Sequence, residues 1–425
     1  MPQFDVDLHI HSLHSIGVSH VMTIPRIAQG AKDKGLQLVG MGDVTQPHWL
    51  KHLRTHLKEN DGAYTYDSVA FIPTVEIEDI ESIHHLILIP DFEAVENLRV
   101  AIEPYSPNMD NDWGGRPRVN ISAVELAGII HDIGGLIGPA HAFTPFKSIF
   151  RENRYTSLKT CYGDEARNIY FIELGLSADS EIADCIPELR ELTYITSSDA
   201  HSPGPDKLGR EFTRIEMESP TFGELKYALK RERGRKSVLN VGLNPRLGKY
   251  YLSFCSKCRR TLIMQVEDGA PSFDELNIYI QCKNKTERVK LLHDIHLRKV
   301  RCPVDGKTLR FGVRDRAATI GEGVSHSPDH RPRYLHIAPL LDIIASALEV
   351  KSSSSKMATK LYGKMRIELG SETSILTSVP LENIRQSNDR VAQMIQTYRD
   401  GSACYQAGGG GRYGKLIPPW KCEGN

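Results

Sequence analysis

Over its first 240 or so positions the chain alternates short apolar runs with longer stretches in which apolar residues recur every three or four places. The runs at 6–10, 38–41, 71–75, 83–89, 136–138, 169–174 and 194–196 predict strands, and the periodic stretches at 24–34, 92–102, 122–132 and 180–192 predict helices. Seven strands with helices between them predict a closed α/β barrel of about 245 residues. Further on, an apolar run at 335–348 and an amphipathic one at 388–399 predict helices, with KSSSSK (351–356) as a flexible loop that closes over something or merely connects.

Chemistry-bearing residues fall on this frame in a pattern. In DLHIHSLHS (7–15), a strand puts His9 and His11 on one face, where both can reach one metal ion or two neighbouring ions. With 17 histidines in the chain, His-x-His alone leaves a solvated strand face equally open. The other positions decide. Asp43 follows the second predicted strand, Glu76 the third and His141 the fifth; His84 lies at the start of the fourth, Glu173 in the sixth, and Asp199 and His201 after the seventh. Barrel enzymes build their sites at the carboxyl ends of strands, and most of these residues are expected there. Hydrolysis of a phosphate ester at neutral pH needs a hydroxide, which clustered divalent ions supply by lowering the pKa of water, and His with carboxylate suits Zn²⁺, Mn²⁺ or Fe²⁺.

The chain has 425 residues, 40% hydrophobic and 25% charged, which describes a soluble globular protein of two to four domains. No apolar run approaches transmembrane length and MPQFDVDLHIHS lacks the features of a signal peptide, so a cytoplasmic protein without a membrane partner is expected. The eight cysteines read as reduced thiols or metal ligands rather than a disulfide scaffold. Net charge is zero, but residues 226–316 hold 22 Lys and Arg against 9 Asp and Glu, a local +13 that leaves −13 elsewhere. A basic middle beside an acidic amino-terminal half suits a catalytic domain attached to a phosphate-gripping one, with a solvated basic surface as the plain alternative.

DLHIHS, GMGDVTQPHW, PTVEIEDI, IHHLILIP, LIGPAHAFTPF, IELGLSAD and SSDAHSPG, in this order, resemble the motifs of the polymerase-and-histidinol-phosphatase, or PHP, phosphoesterases. With CSKC, RCPVDG, HRPRYLHIAPL and GGGGRYGK the likeness narrows to the archaeal endonuclease Q branch and runs over most of the chain. It implies a distorted (β/α)7 barrel at 1–245, a small zinc-binding, DNA-contacting domain at 246–320 and a helical, lesion-recognising region at 321–425. It implies a DNA repair endonuclease that cuts on the 5′ side of uracil, hypoxanthine, xanthine or an abasic site. The metal set it implies is His9, His11, Asp43, Glu76, His84, His141, Asp199 and His201, with Glu76 bridging two ions and Asp199 catalytic; His85, on the opposite strand face, is expected to be structural. Zn²⁺ is expected in the barrel, with Mg²⁺ or Mn²⁺ as activating ions. The chain departs from the family pattern at Gln46, where a histidine is usual, and His48 stands nearby as a substitute.

A structural zinc is expected on Cys255, Cys258, Cys302 and Asp305, Asp305 standing where the family has cysteine, with Cys282 as the alternative fourth ligand. Lys230, Arg231, Arg233, Arg259 and Arg260 are the expected contacts to the DNA backbone. GGGRYGK at 409–415 has the spacing of a phosphate-binding loop, but Leu416 and the following Ile417-Pro418-Pro419 cannot supply the metal-binding hydroxyl or open the helix, so no nucleotide cofactor is expected. In the family reading its glycines let the backbone approach DNA, and in the plain one they form a turn. A small-molecule phosphatase of the histidinol-phosphate kind and a non-catalytic DNA-binding protein are the alternatives; the first has no use for the basic zinc module, and the second does not explain the ligand set. A repair or replication-clamp partner is left open.

Overall fold

A computed structural model of the chain describes residues 1–60, 62–265 and 277–422. Helices with strong local signals form where expected, at Ile24–Lys34 and Phe92–Ile102. The first has Pro25 in its opening turn and ends at Gly35, whose φ of 99° is a left-handed conformation that a Cβ disfavours. The second is capped by Asp91, which accepts a hydrogen bond from the Ala94 amide. Proline overrides apolar periodicity elsewhere. The helix expected at 180–192 is only Ser180–Ala183 followed by a 3-10 turn, Pro187–Glu191, and the run at 335–348 divides at Pro339 into a strand, Arg333–His336, and a helix, Leu340–Ala347.

The predicted closed barrel is not formed. Among the described residues the strands around the predicted site make an eight-stranded, a three-stranded and a two-stranded sheet. Gln3–Asp7 lies inside the large sheet, parallel to Leu38–Gly40 and antiparallel to Phe212–Glu216. The strand expected at 71–75 breaks at Pro73, which has no N–H to donate: Val69–Ile72 stays in the large sheet and Thr74–Glu78 opens the three-stranded one. Thr74–Glu78 and His84–Leu88 pair antiparallel, since the few residues between them are too short for the crossover that parallel strands need. Leu136–Pro139 completes that sheet, and Phe171–Glu173 pairs with Thr193–Ile195. Single backbone bonds, Ala142 N to Glu173 O at 2.9 Å and His11 N to Ala200 O at 3.0 Å, bring the sheet edges together beside the site without a continuous ladder.

A separate four-stranded sheet, Asn277–Gln281, Thr261–Gln265, Phe254–Cys255 and Leu309–Arg310 in that order, carries the helix Lys285–His296 over its own small core of Leu262, Ile278, Leu292 and Leu309. The carboxyl-terminal segment returns to the first unit: Arg333–His336 adds parallel to Lys236–Gly242, and Leu340–Ala347, Lys356–Leu369 and Asp389–Asp400 share its hydrophobic core. KSSSSK leads directly into Lys356–Leu369, whose cap is Ser355. Cys404 and Cys422, expected as reduced thiols or ligands, are joined by a disulfide across the hairpin of Cys404–Gln406 and Lys415–Ile417. Residues 409–415 turn that hairpin against the segment that carries Cys255 and Cys258, where a Cβ on Gly410 would collide with the Arg259 carbonyl oxygen, so the close backbone approach is to the chain itself. No helix among the described residues is long and apolar enough to cross a membrane.

One buried carboxyl makes stability depend on pH. Glu211 accepts a hydrogen bond from the Leu243 amide at 2.8 Å, but its Oε2 has no partner. Burial pushes this carboxyl from 4.5 up to about 8. Between those values the folded chain keeps a proton that the unfolded chain has released, so this group's stabilisation is full at the acid end and is lost as pH rises through about 8. Glu211→Gln removes the dependence. Thermal melting from pH 5 to 8 is expected to show a flatter profile for the variant and a higher melting temperature at pH 8; parallel profiles for the two proteins would refute this.

Candidate metal centre

Two groups of side chains converge where the sheet edges meet. His9, His11 and Asp199 form one, Glu76, His84 and His141 the other, and within each group the ligand atoms lie within 4.8 Å of one another. His9 and His11 follow the strand Gln3–Asp7, His141 follows Leu136–Pro139 and Asp199 follows Thr193–Ile195, so the expected carboxyl-end placement holds without barrel closure. Glu76 lies between the groups: Oε1 is 2.8 Å from both His84 Nδ1 and His141 Nε2, and Oε2 is 3.5 Å from His11 Nε2. Asp43, His141 and Asp199 all have left-handed backbone, φ 51°, 30° and 48°, the kind of local strain that clusters at sites of function.

The histidines of the first group are oriented from behind by carboxylates. His9 Nδ1 donates to Glu173 at 2.9 Å and His11 Nδ1 donates to Asp43 at 3.0 Å, which turns both Nε2 atoms inward. Those two Nε2 atoms and Asp199 Oδ1 are buried without a hydrogen-bond partner, an arrangement that a shared cation satisfies and an empty apolar site would not tolerate. Burial works to lower the His9 pKa, but Glu173, Glu76 and Asp199 outweigh it and raise it to about 9; burial acts likewise on His11, and Asp43 and Asp199 outweigh it and raise its pKa. Burial likewise works against ionised Glu76 and Asp199, yet the surrounding histidines hold both below the usual carboxylate range. So much converging negative charge calls for a positive partner.

Several sequence readings are corrected or refined here. Asp43 stands outside both ligand groups: its second oxygen accepts the Ser12 amide and the Ser12 and Ser15 hydroxyls, so it positions His11 rather than reaching the centre. Gly115 makes room for it, since a Cβ there would stand 2.5 Å from Asp43 Oδ2. His201 also lies beside the groups, edge-on to His11 at 4.8 Å, with Nδ1 donating to the Asp199 carbonyl and Nε2 left as the nitrogen with a lone pair. His85 is buried between Tyr162 and Asp79, as expected for a structural residue. Gln46 caps the helix Pro47–His56 by accepting the Trp49 amide, while His48 lies exposed at the rim, stacked on His14.

Arg116 was not read from the sequence. Its Nη1 donates to Glu76 Oε2 at 2.9 Å, and it shares the mouth of the centre with Lys147, which reaches Glu78 at 2.8 Å. Burial tends to raise the Glu78 carboxyl, but His84 and Lys147 outweigh it and hold it at about 2. GGRPR carries no ligand-type residue, so only the tertiary structure brings that guanidinium in.

Cys255, Cys258, Cys302 and Asp305 form a third group with ligand atoms within 4.8 Å; Cys258 Sγ is 3.8 Å from Cys302 Sγ, and Cys255 Sγ is 3.4 Å from Asp305. Cys282 lies in the small core outside this group. The basic cluster divides. Lys230 covers the Tyr170 ring, Arg231 donates to the Glu191 carbonyl beside Thr193, and Arg233 covers Tyr227, so Lys230 and Arg231 sit at the amino ends of strands whose carboxyl ends carry the site. Charge counted along a chain does not report which end of a strand it reaches. Arg259 instead covers Phe254 and lines, with Phe146, Tyr250, Arg310 and Arg316, a cavity of about 360 Å³. Thr144 and Phe146 line both this cavity and the mouth of the centre, and its lining comes from 143–152 and 250–316, none of it from the carboxyl-terminal helices.

Histidines and carboxylates gathered in two cation-sized groups, on a mixed α/β fold, define a metal-dependent phosphoesterase. The lesion-specific endonuclease Q of Pyrococcus furiosus matches the structure at 40% identity and a TM-score of 0.86 over 98% of this chain and 96% of its own. An endonuclease Q crystallised with a 27-mer duplex substrate bearing an abasic lesion at the active site matches at 40% identity and 0.83 over 98% and 97%. The chain belongs to the endonuclease Q family. The MJ0043 C-terminal domain family matches residues 339–402. The uncharacterized protein MJ0043 of Methanocaldococcus jannaschii is 32% identical over 71% of this chain, which spans only 33% of that protein. YqxK of Bacillus subtilis is 28% identical over 98% of the chain and its own full length.

Proposed function

We propose that this chain is a metal-dependent DNA endonuclease that hydrolyses the phosphodiester on the 5′ side of an abasic site or a deaminated base such as uracil, hypoxanthine or xanthine. The observation that carries the reading is a cavity of about 360 Å³, lined by aromatic and arginine side chains, that shares Thr144 and Phe146 with the mouth of the ligand groups. The family relative crystallised with an abasic lesion at its active site supports it. Ions held by His9, His11 and Asp199 and by Glu76, His84 and His141, with His201 at the edge, supply when bound the positive charge that neutralises phosphate oxygens and acidifies water; Zn²⁺, Mn²⁺ and Mg²⁺ suit these donors to different degrees. Asp199, its side chain 33% exposed, accepts the proton of the attacking water. Glu173 and Asp43 keep His9 and His11 in register, and Arg116 and Lys147 hold the phosphate at the mouth.

An extruded base enters the cavity and stacks on its aromatic rings. Deamination replaces an exocyclic amine by a carbonyl, which accepts hydrogen bonds from the guanidinium groups, whereas an unmodified amine would face them as donor against donor. Residues 1–245 supply the chemistry. Residues 246–320, stapled by zinc on Cys255, Cys258, Cys302 and Asp305, form the far wall of the cavity and contact DNA through Arg259 and its neighbours, and residues 321–425 brace both. Labelled single- and double-stranded oligonucleotides carrying one uracil, hypoxanthine or abasic site test this. One product ending 5′ to the lesion, lost with chelator and regained with divalent ions, is expected. Cleavage that ignores the lesion, or none with Zn²⁺, Mn²⁺ or Mg²⁺, would overturn it.

A further inference from the structure

The connection between Phe92–Ile102 and Ala123–Asp132 is long, yet it is braced rather than loose. Gly114 N bonds Asn111 O, Gly115 N bonds His14 O at 3.1 Å, His14 Nδ1 donates to Asp112 O at 3.1 Å, and Arg116 is anchored on Glu76. Trp113 sits at the tip of this frame, three residues from Arg116, and is 60% exposed. The chain has three tryptophans; Trp49 is fully buried and Trp420 packs under Arg390, so Trp113 alone is held out in solvent. On the segment to which the frame is bonded through His14, Ile16 is 73% exposed, directly after Ser15, whose hydroxyl bonds Asp43.

Both side chains stand within three residues of groups that reach the metal centre, Arg116 on Glu76 and Ser15 on Asp43, while the cavity meets the mouth of the centre at Thr144 and Phe146. A nucleotide with its phosphate over the ligand groups and its base in the cavity has left its helix, and its departure opens a gap between base pairs at the rim of the centre. Proteins that open a base stack commonly fill such a gap with an apolar wedge. We infer that Trp113, supported by Ile16, is the wedge that enters duplex DNA at the position vacated by the damaged nucleotide and holds the stack open during cleavage. The inference rests on the endonuclease reading above. Trp113 is a positioning residue: it acts on the neighbouring base pairs and touches neither the phosphate nor the ligand groups.

A single-stranded substrate has no stack to open, so the wedge matters for duplex DNA. Trp113→Ala is expected to lower the ratio of duplex to single-strand kcat/KM for one lesion sequence by about 30-fold or more. Trp113→Phe restores most of it, and Ile367→Ala, which truncates a side chain 89% exposed on a distant helix, leaves it unchanged. In an Asp199→Asn background, which binds without cutting, 2-aminopurine opposite the lesion gains fluorescence on binding, and Trp113→Ala abolishes the gain. If wild type cuts lesion duplexes and Trp113→Ala keeps the wild-type ratio and the fluorescence gain, the wedge is refuted and the endonuclease reading stands. If wild type cuts neither form, that reading fails and takes the wedge with it.

Discussion

Replacing Asp199 by asparagine is expected to slow single-turnover cleavage of lesion DNA by about a thousandfold or more, while DNA affinity stays within about a few-fold. The residue is placed by its strand end and its left-handed backbone so that Oδ1, buried and without a hydrogen-bond partner, lies 3.1 Å from His11 Nε2 and 3.8 Å from His9 Nε2. Asparagine keeps the shape but gives up the negative charge and the proton-accepting oxygen. Asp43→Asn should cost less, about 10- to 100-fold, because Asp43 works through the orientation of His11. Rapid-quench kinetics, fluorescence anisotropy and elemental analysis of the two variants check this order. An Asp199→Asn enzyme that cuts within tenfold of wild type would remove the residue from the mechanism.

The second large effect is on stability. Lys34, at the end of Ile24–Lys34, is 1% exposed, and its Nζ lies 2.7 Å from both Glu372 Oε1 and the Pro205 carbonyl oxygen. Glu372 in turn accepts the Leu340 amide and the Tyr362 hydroxyl, each at 2.9 Å. Glu372→Ala strands a buried ammonium and frees two donors, so a loss of about 3–5 kcal/mol is expected. Lys34→Met with Glu372→Leu removes both charges and should recover much of that. Denaturant unfolding of the two proteins tests the ion pair, and equal stability of Glu372→Ala and wild type would refute it. The pair also ties the carboxyl-terminal helices to the first unit, as does Arg331, which bonds Asp184 and stacks over Tyr194. A chain cut at residue 245 would therefore expose core and leave Asp184 and Lys34 without their opposite charges.

Local physics was legible along the chain. Helices 24–34 and 92–102 were readable to the residue because periodicity agrees within a dozen positions with an opening proline and a terminal glycine in the first and with an aspartate cap in the second. His9, His11, His141 and Asp199 were readable because ligand-type residues recur just where strands end, and Glu76 and His84 because they fall in motifs resembling a known family. Tertiary structure alone decided what depends on partners far apart in sequence. Periodicity reports which face of a strand is buried but not which strand lies beside it, so three sheets formed where a closed barrel was expected. Asp43 and Glu173 show the same limit, since a carboxylate that coordinates and one that stands behind a histidine differ only by a few ångströms of three-dimensional placement. Arg116, the Cys404–Cys422 bond, the division of the basic cluster between two ends of the molecule and the cavity beside Phe146 were invisible for one reason: each is a meeting of residues whose spacing along the chain carries no signal, brought together only by the packing of the folded core.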